Sequence, residues 1–271
     1  MIFDDTRCEL GEGPLWHPLR QQLFWFDILG KRLHTKGQHW DFDDHVSAAG
    51  WIDHDTLIVA SSRALMTFDI ITVDTEHLCD LEADNPVTRS NDGRADPQGG
   101  FWIGTMGMDA EMGAGTIYRY YRGELRVLFA DLQITNAICF APSEQTAYFT
   151  DTNTQMIMAI DLDPDGWPTG DPRIHIDLRG TDFRPDGAVA DEAGNLFSAQ
   201  WGVGRIAVYD PNGTLIEAFD LPAIQSSCPA FGGQTLYCTS AAVGRDGPDD
   251  GKTFAIQTRY TGQTEHQVIL L

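Results

Sequence analysis

The chain has 271 residues, and 42% of them are hydrophobic, so it can bury a large core. Asp and Glu total 40 against 18 Lys and Arg, which gives a formal net charge of -22. Such a surface repels phosphate backbones and anionic lipids, so neither nucleic acid nor a membrane is an expected partner.

Short alternating or aromatic runs, separated by turn residues, follow one another along the chain and indicate β-hairpins rather than helices. One template of turns and short strands repeats six times at roughly 40 to 50 residues, which is the period of propeller blades. The pattern therefore predicts an all-β fold, a six-bladed β-propeller. In chain order the repeats start near Gly11, Ala48, Asn91, Thr135, Arg184 and Cys228.

Two segments lie outside the six repeats, residues 1–9 and residues 267–270. One of them is expected to supply the strand that closes the ring, because closure removes an exposed sheet edge. No composition break divides the chain, so we predict a single domain over residues 1–271.

Targeting and redox signals point to the cytoplasm. No run of about 18 apolar residues predicts a membrane span, and the first residues lack the basic and then apolar pattern of a secretory signal. Five cysteines are scattered and never spaced as Cys-x-x-Cys, so we expect reduced thiols. We expect a monomer or a weak homodimer.

Four polar residues share one phase of the repeat, Glu12, Asn91, Asn136 and Asp186. The first strand of each propeller blade lines the central channel, so these side chains should face one axial pocket. Carboxylate and amide oxygens suit Ca²⁺, Mg²⁺ or Mn²⁺ and tolerate Zn²⁺. Three protein ligands would leave positions for water and substrate, as in a catalytic metal site. The alternative for each residue is an ordinary turn, since Asn-Asp-Gly and Pro-Asp-Gly are common turn sequences.

Other candidates are weaker. The eight histidines show no ligand spacing, and four of them are expected at the surface or in turns: His17, His34, His39 and His45. The tryptophans in strand phase are interpreted as core residues rather than sugar-stacking platforms; these are Trp16, Trp25, Trp51, Trp102 and Trp201.

Six segments, in order over nearly the whole chain, carry a more specific signal. Together they resemble the SMP-30/gluconolactonase/regucalcin family. That family usually has Gly after the Asn of the fourth repeat, where this chain has Ala137. The segments are residues 11–16, 89–93, 101–106, 135–137, 184–187 and 228–241.

The resemblance implies a six-bladed β-propeller with a central metal site, in which one divalent cation is held by Glu12, Asn136 and Asp186. The cation could be Ca²⁺, Zn²⁺, Mg²⁺ or Mn²⁺. The resemblance also implies that two side chains hydrogen-bond sugar hydroxyls, Arg89 and Asn91. It further implies an acidic substrate contact after the Gly-Thr-Met segment, where Asp109 matches by spacing and Glu111 is nearby.

The activity implied by the resemblance is hydrolysis of a sugar aldonolactone to the open-chain acid. Asp186 would be the catalytic residue, binding the cation with one oxygen and taking a proton from water with the other. Arg89 would donate to the hydroxyls and to the new carboxylate. Two alternatives stay open: a promiscuous hydrolase of aryl esters or organophosphates, and a calcium-binding or regulatory propeller without turnover.

Overall fold

Six four-stranded antiparallel sheets make up the fold, as seen in a computed structural model that describes residues 1–270. The first strands of the sheets pack against one another in a closed ring, in the order of the sheets along the chain. The prediction of an all-β, six-bladed β-propeller is therefore confirmed.

The first strand of each blade is innermost, and the fourth is outermost. Blade 1 contains β2 (Gly11–His17), β3 (Gln22–Asp27), β4 (Arg32–Thr35) and β5 (Gln38–Asp41). Blade 2 contains β6 (Val46–Trp51), β7 (Thr56–Ser61), β8 (Ala64–Asp69) and β9 (Thr75–Asp80). Blade 3 contains β10 (Thr88–Ala95), β11 (Phe101–Gly107), β12 (Gly115–Tyr121) and β13 (Glu124–Leu132).

The second half of the ring repeats this plan. Blade 4 contains β14 (Thr135–Phe140), β15 (Thr146–Asp151), β16 (Met156–Leu162) and β17 (Pro168–Asp177), with a 3-10 turn at Thr152–Thr154. Blade 5 contains β18 (Arg184–Ala190), β19 (Leu196–Trp201), β20 (Arg205–Tyr209) and β21 (Leu215–Asp220). Blade 6 contains β22 (Gln225–Gly232), β23 (Thr235–Ala241), β24 (Thr253–Gln257) and β1 (Ile2–Asp4).

The N-terminal segment closes the ring, because β1 pairs with β24 as the outermost strand of blade 6. This confirms the expectation that a segment outside the repeats supplies the closing strand. The C-terminal segment packs elsewhere: the backbone N–H of Val268 donates to the carbonyl of Trp51, 2.9 Å away. No helix within residues 1–270 is long and apolar enough to cross a membrane.

Interleaved apolar side chains between neighbouring blades form the core. Trp25 and Trp102 are among its largest fully buried side chains, and Trp51 is also buried. Two histidine expectations are wrong, because His17 and His34 are buried rather than at the surface. Both lie on strands, where their rings pack against Phe24 and Trp25 respectively.

The innermost strands are bulged near the same position in every blade. In β10 the register with β11 shifts between Ser90 and Gly93, and in β18 the register with β19 shifts between Pro185 and Ala188. A bulge inserts residues that are not paired across the sheet and turns their side chains. This places polar side chains of the first strands toward the axis.

One of these bulges requires a glycine. A Cβ added at Gly187 would lie 2.3 Å from Cys228 Sγ and 2.8 Å from Cys228 Cα. We therefore expect Gly187→Ala to lower the free energy of unfolding by about 3 kcal/mol, measured by urea denaturation. Gly180 has open space around it but a φ of 81°, so Gly180→Ala should cost only about 1 kcal/mol. Equal costs would contradict the packing argument.

Candidate active site

A cavity of about 400 Å³ opens at one end of the central channel. Its base is polar and carries five buried side chains from four different blades. The structure thus brings together residues that are up to 174 positions apart (186 minus 12). The five residues are Glu12, Arg89, Asn91, Asn136 and Asp186.

The two carboxylates of this base are held away from water and close enough to affect each other. The pKa of Glu12 is raised to about 8, mainly by burial and secondly by the negative charge of Asp92. The pKa of Asp186 is raised well above its usual value, mainly by burial and secondly by the negative charge of Glu12. Both groups therefore favour a proton, or a cation in its place, at neutral pH.

Arg89 is the nearest positive charge, and burial lowers its pKa to about 10 although Glu12 and Asp186 act in the opposite direction. Its Nη1 donates to Asn91 Oδ1 at 2.7 Å and to the Ser90 carbonyl at 3.0 Å. These bonds fix the guanidinium at the cavity base, where its other N–H groups remain available to a ligand.

The two asparagines continue the network to the next blade. Asn91 Nδ2 donates to the carbonyl of Thr135 at 2.8 Å and to Asn136 Oδ1 at 3.1 Å. Asn136 Nδ2 donates to Thr152 Oγ1 at 2.9 Å, and that hydroxyl donates to the carbonyl of Pro185. Asn136 is thereby oriented from both sides, with one lone pair of Oδ1 left over.

The donor set fits a divalent cation. Among residues 1–270, Glu12 accepts one hydrogen bond, from Gly13 N at 2.9 Å, and no protein group donates to Asp186. Buried carboxylates without donors are costly unless a cation compensates them. Oxygen ligands of this kind match Ca²⁺, Mg²⁺ or Mn²⁺. Glu12, Asn136 and Asp186 are thus the residues that could hold the metal.

Ala137 follows Asn136 in the β14 bulge and takes a φ of 56°, the left-handed conformation that favours glycine. An L-residue with a side chain costs roughly 1–2 kcal/mol in this conformation. The backbone after Asn136 therefore keeps the shape that glycine would take, and the chain tolerates the strain. Ala137 in place of the usual Gly therefore does not displace Asn136 from the cavity.

The walls above the polar base are apolar and face each other across the ring. One wall comes from blades 5, 6 and 1, and the other from blades 3 and 4. Trp201 belongs to the first wall and is half-buried, and it also packs against the predicted core, so it lies at the border of the core and the cavity. The first wall contains Leu10, Leu29, Trp201 and Val243, and the second contains Met106, Met108, Ala110 and Ile134.

The two acidic residues that follow the Gly-Thr-Met segment lie on the exposed loop between β11 and β12. Glu111 Oε2 accepts a hydrogen bond from the backbone N–H of Asp109 at 3.1 Å. Neither side chain lines the cavity. Their contact with a substrate stays a prediction, and the structure instead places Met108 and Ala110 of this loop at the cavity.

Comparison with known proteins agrees with this architecture. The family model described as "SMP-30/Gluconolactonase/LRE-like region" matches residues 10–242. The chain belongs to this family. The matched range includes all five residues of the cavity base and leaves out β1, β24 and the C-terminal segment that follows β24.

Individual members of the SMP-30/Gluconolactonase/LRE-like family are similar over nearly their full length. A protein of Rhizobium meliloti named "Putative sugar lactone lactonase" is 39% identical, over 97% of this chain and 95% of its own. An L-arabinolactonase of Azospirillum brasilense is 33% identical, over 96% and 92%. The crystal structure of a calcium-binding protein, regucalcin, from Agrobacterium tumefaciens aligns with a TM-score of 0.95 at 36% identity, over 98% and 96%.

Proposed function

We propose that this protein is a metal-dependent lactonase that hydrolyses a sugar lactone to the corresponding aldonic acid. The observation that carries the proposal is the pair of buried carboxylates, Glu12 and Asp186, beside the amide of Asn136 at the base of an open cavity. The sequence similarity to the sugar lactone lactonase and to the L-arabinolactonase supports the same substrate class.

The proposed reaction is attack of water on the lactone carbonyl carbon, with cleavage of the ring C–O bond. When bound, the cation would polarise the carbonyl and make water more acidic. Asp186 accepts the proton of the attacking water on its free oxygen. That proton is then passed to the ring oxygen that leaves, so the product is a hydroxy acid.

Arg89 and Asn91 orient the substrate in this scheme. The guanidinium of Arg89 donates to substrate hydroxyls and, after ring opening, to the new carboxylate. Asn91 is fixed against Arg89 by their 2.7 Å hydrogen bond, so the two residues act as one unit. Asp109 and Glu111 are proposed as further contacts that the exposed loop would have to bring inward.

The test is acid release from a panel of aldonolactones, followed at constant pH with metal added back to chelated protein. We expect hydrolysis only in the presence of a divalent cation. Binding of Ca²⁺ without turnover of any lactone would support the alternative of a non-catalytic calcium-binding propeller.

The polar base of the cavity holds the lactone ring, and the apolar walls surround the rest of the substrate. The walls therefore favour lactones that carry few hydroxyls outside the ring. A hydroxyl that meets Met106 and Ile134 loses its hydrogen bonds to water without a replacement. We expect kcat/KM for a 6-deoxyhexonolactone to exceed that for the matching hexonolactone by about tenfold.

A matched variant checks this preference. Met106→Gln places a hydrogen-bonding amide of similar size on the wall, so the ratio of the two kcat/KM values should fall toward one. Ile224→Gln is the control, because Ile224 is exposed outside the cavity, and it should leave the ratio unchanged. If the wild type prefers the hexonolactone, the apolar walls do not select against the extra hydroxyl.

The same walls favour a second candidate function, hydrolysis of aryl esters. Trp201 and Met108 offer an aromatic and a flexible apolar surface to a flat ring. If this reading is correct, a phenyl ester should be hydrolysed with a kcat/KM at least equal to that of the best lactone. A lactone preference of more than about a hundredfold would exclude it as the main activity.

We further propose one bound divalent cation, Ca²⁺, Zn²⁺, Mg²⁺ or Mn²⁺, in a cytoplasmic protein that acts as a monomer or weak homodimer and as one domain over residues 1–271. Five free cysteines support a reducing compartment. A net charge of -22 supports the absence of nucleic-acid and membrane partners.

A further inference from the structure

A second group of metal-ligating side chains lies outside the axial cavity, between blade 1 and blade 6. Cys8 Sγ, a carboxylate oxygen of Asp27 and a ring nitrogen of His34 all lie within 4.8 Å of one another. All three residues are buried, beside Trp25 and Tyr237. They come from the segment before β2, from the end of β3 and from β4.

His34 is the side chain that points to a ligand. It is 5% exposed, and its Nε2 is buried without a hydrogen-bond partner among residues 1–270. Its ring stacks on Trp25, with centroids 5.7 Å apart, so the orientation of the imidazole is fixed. A buried imidazole nitrogen without a partner is costly and rare, and a bound cation would satisfy it. Burial also lowers the pKa of His34, which keeps the ring neutral and able to ligate.

Asp27 is oriented as a ligand would be. Its Oδ1 accepts the backbone N–H groups of Leu10 at 3.0 Å and Gly30 at 3.1 Å, and its Oδ2 accepts that of Glu9 at 2.9 Å. A carboxylate has about four lone-pair directions, so one remains free. Backbone donors that hold a ligating carboxylate are common around protein metal sites.

Cys8 completes the set. Burial, and then the charge of Asp27, raise the pKa of its thiol to about 12, so the metal-free protein carries the proton on sulfur. A cation would displace that proton and gain a thiolate ligand. Tetrahedral Zn²⁺ with bonds of about 2.0–2.3 Å needs ligand atoms roughly 3.3–3.8 Å apart, so binding requires the group to close by about 1 Å.

We propose that Cys8, Asp27 and His34 bind Zn²⁺ at the closure of the ring. Sulfur, nitrogen and oxygen in one set select Zn²⁺ over Ca²⁺ or Mg²⁺, which require oxygen ligands. Cys8 follows β1 by four residues, and β1 is the outermost strand of blade 6. The ion therefore fastens the N-terminal segment to blade 1 and so ties together the two blades that meet where the chain closes.

Hydrogen bonds also hold the N-terminal segment on blade 6. Arg7 Nη2 donates to the carbonyl of Arg245 at 2.6 Å, and Arg7 Nη1 donates to that of Gly247 at 2.9 Å. The backbone N–H of Cys8 donates to the carbonyl of Gly251 at 2.9 Å. Hydrogen bonds thus hold the segment on blade 6, and the ion would add to the hydrogen bonds that Glu9 and Leu10 already make with Asp27 of blade 1.

Substitution with Co²⁺ tests the proposal, because cobalt bound to a thiolate absorbs in the near-ultraviolet and cobalt bound only to oxygen does not. Chelated wild-type protein titrated with Co²⁺ should develop this thiolate band, with a final amplitude that corresponds to one thiolate-bound cobalt per chain. Cys8→Ser should lose the band, and His34→Gln should bind Co²⁺ at this site at least tenfold more weakly. Cys79→Ser is the matched control, since Cys79 is half-buried and outside the group, and it should keep the band.

Asp186→Ala should also keep the band, which separates this site from the oxygen-only centre of the proposed function. Wild-type protein without a thiolate band, or a band that persists in Cys8→Ser, would overturn the zinc site. If Cys8→Ser does not fold, the wild-type band and the His34→Gln titration decide. A supporting result also requires that Zn²⁺ raises the melting temperature of wild type by more than that of His34→Gln when Ca²⁺ already saturates the axial centre.

Discussion

Asp186→Ala is expected to reduce kcat/KM for lactone hydrolysis on the order of 10³-fold or more. Asp186 is 5% exposed and lines the cavity base together with Glu12 and Asn136. Its removal takes away both a ligand of the proposed cation and the proton acceptor for water. The measurement is acid release at saturating metal, together with the metal affinity by calorimetry.

Two comparisons make this result specific. Asp182→Ala changes an exposed aspartate four residues earlier and should retain full activity. Asp186→Asn keeps the shape and one oxygen ligand but cannot accept the proton, so it should bind metal more strongly than Asp186→Ala while staying nearly inactive. Full activity in Asp186→Ala would contradict both the lactonase assignment and the catalytic role of Asp186.

Removal of the proposed cation is expected to destabilise the protein, and more so at higher pH. The pKa of Glu12 is about 8 in the folded, metal-free protein against an ordinary value of 4.5, and that of Asp186 is also raised. As pH rises, the unfolded chain therefore loses these protons first. In the chelated protein, the contribution of these two groups to stability should be greatest below about pH 4.5 and should be lost as the pH rises to about 8.

The expected loss is about 3 kcal/mol in the free energy of unfolding, measured by urea denaturation of chelated protein between about pH 5 and pH 8. Saturating metal should remove most of it, because the cation takes the place of the protons. Glu12→Gln cannot titrate, so its chelated form should show a smaller loss. If the chelated wild type instead becomes more stable between about pH 5 and pH 8, the result would contradict the raised pKa values of Glu12 and Asp186.

The number of blades and the shared position of the polar residues could be predicted from the sequence because both are encoded locally. Alternating apolar residues and turn residues specify each short strand, and repetition shows how many there are. Turn aspartates are held by equally local bonds: Asp163 Oδ1 accepts the N–H groups of Asp165 and Trp167, each at 2.9 Å. Such bonds span only a few residues.

Features that depend on two distant segments could not be predicted in the same way. Trp201 has the pattern of a core strand, but it lies at the end of β19 where the blade meets the cavity. His34 has no ligand spacing to Cys8 or Asp27 in the sequence, because the three meet only when the N-terminal segment returns to blade 1. The loop after β11 turns Met108 and Ala110, rather than Asp109 and Glu111, toward the cavity.

The amino-acid sequence by itself determined the strand pattern, the six repeats and the phase that carries Glu12, Asn91, Asn136 and Asp186. Only the tertiary structure decided how deeply these groups are buried, which walls surround them and which buried groups elsewhere are left without partners. The reason is physical: strand and turn preferences act between near neighbours along the chain. Desolvation, charge coupling and cavity shape arise only when the blades pack against one another.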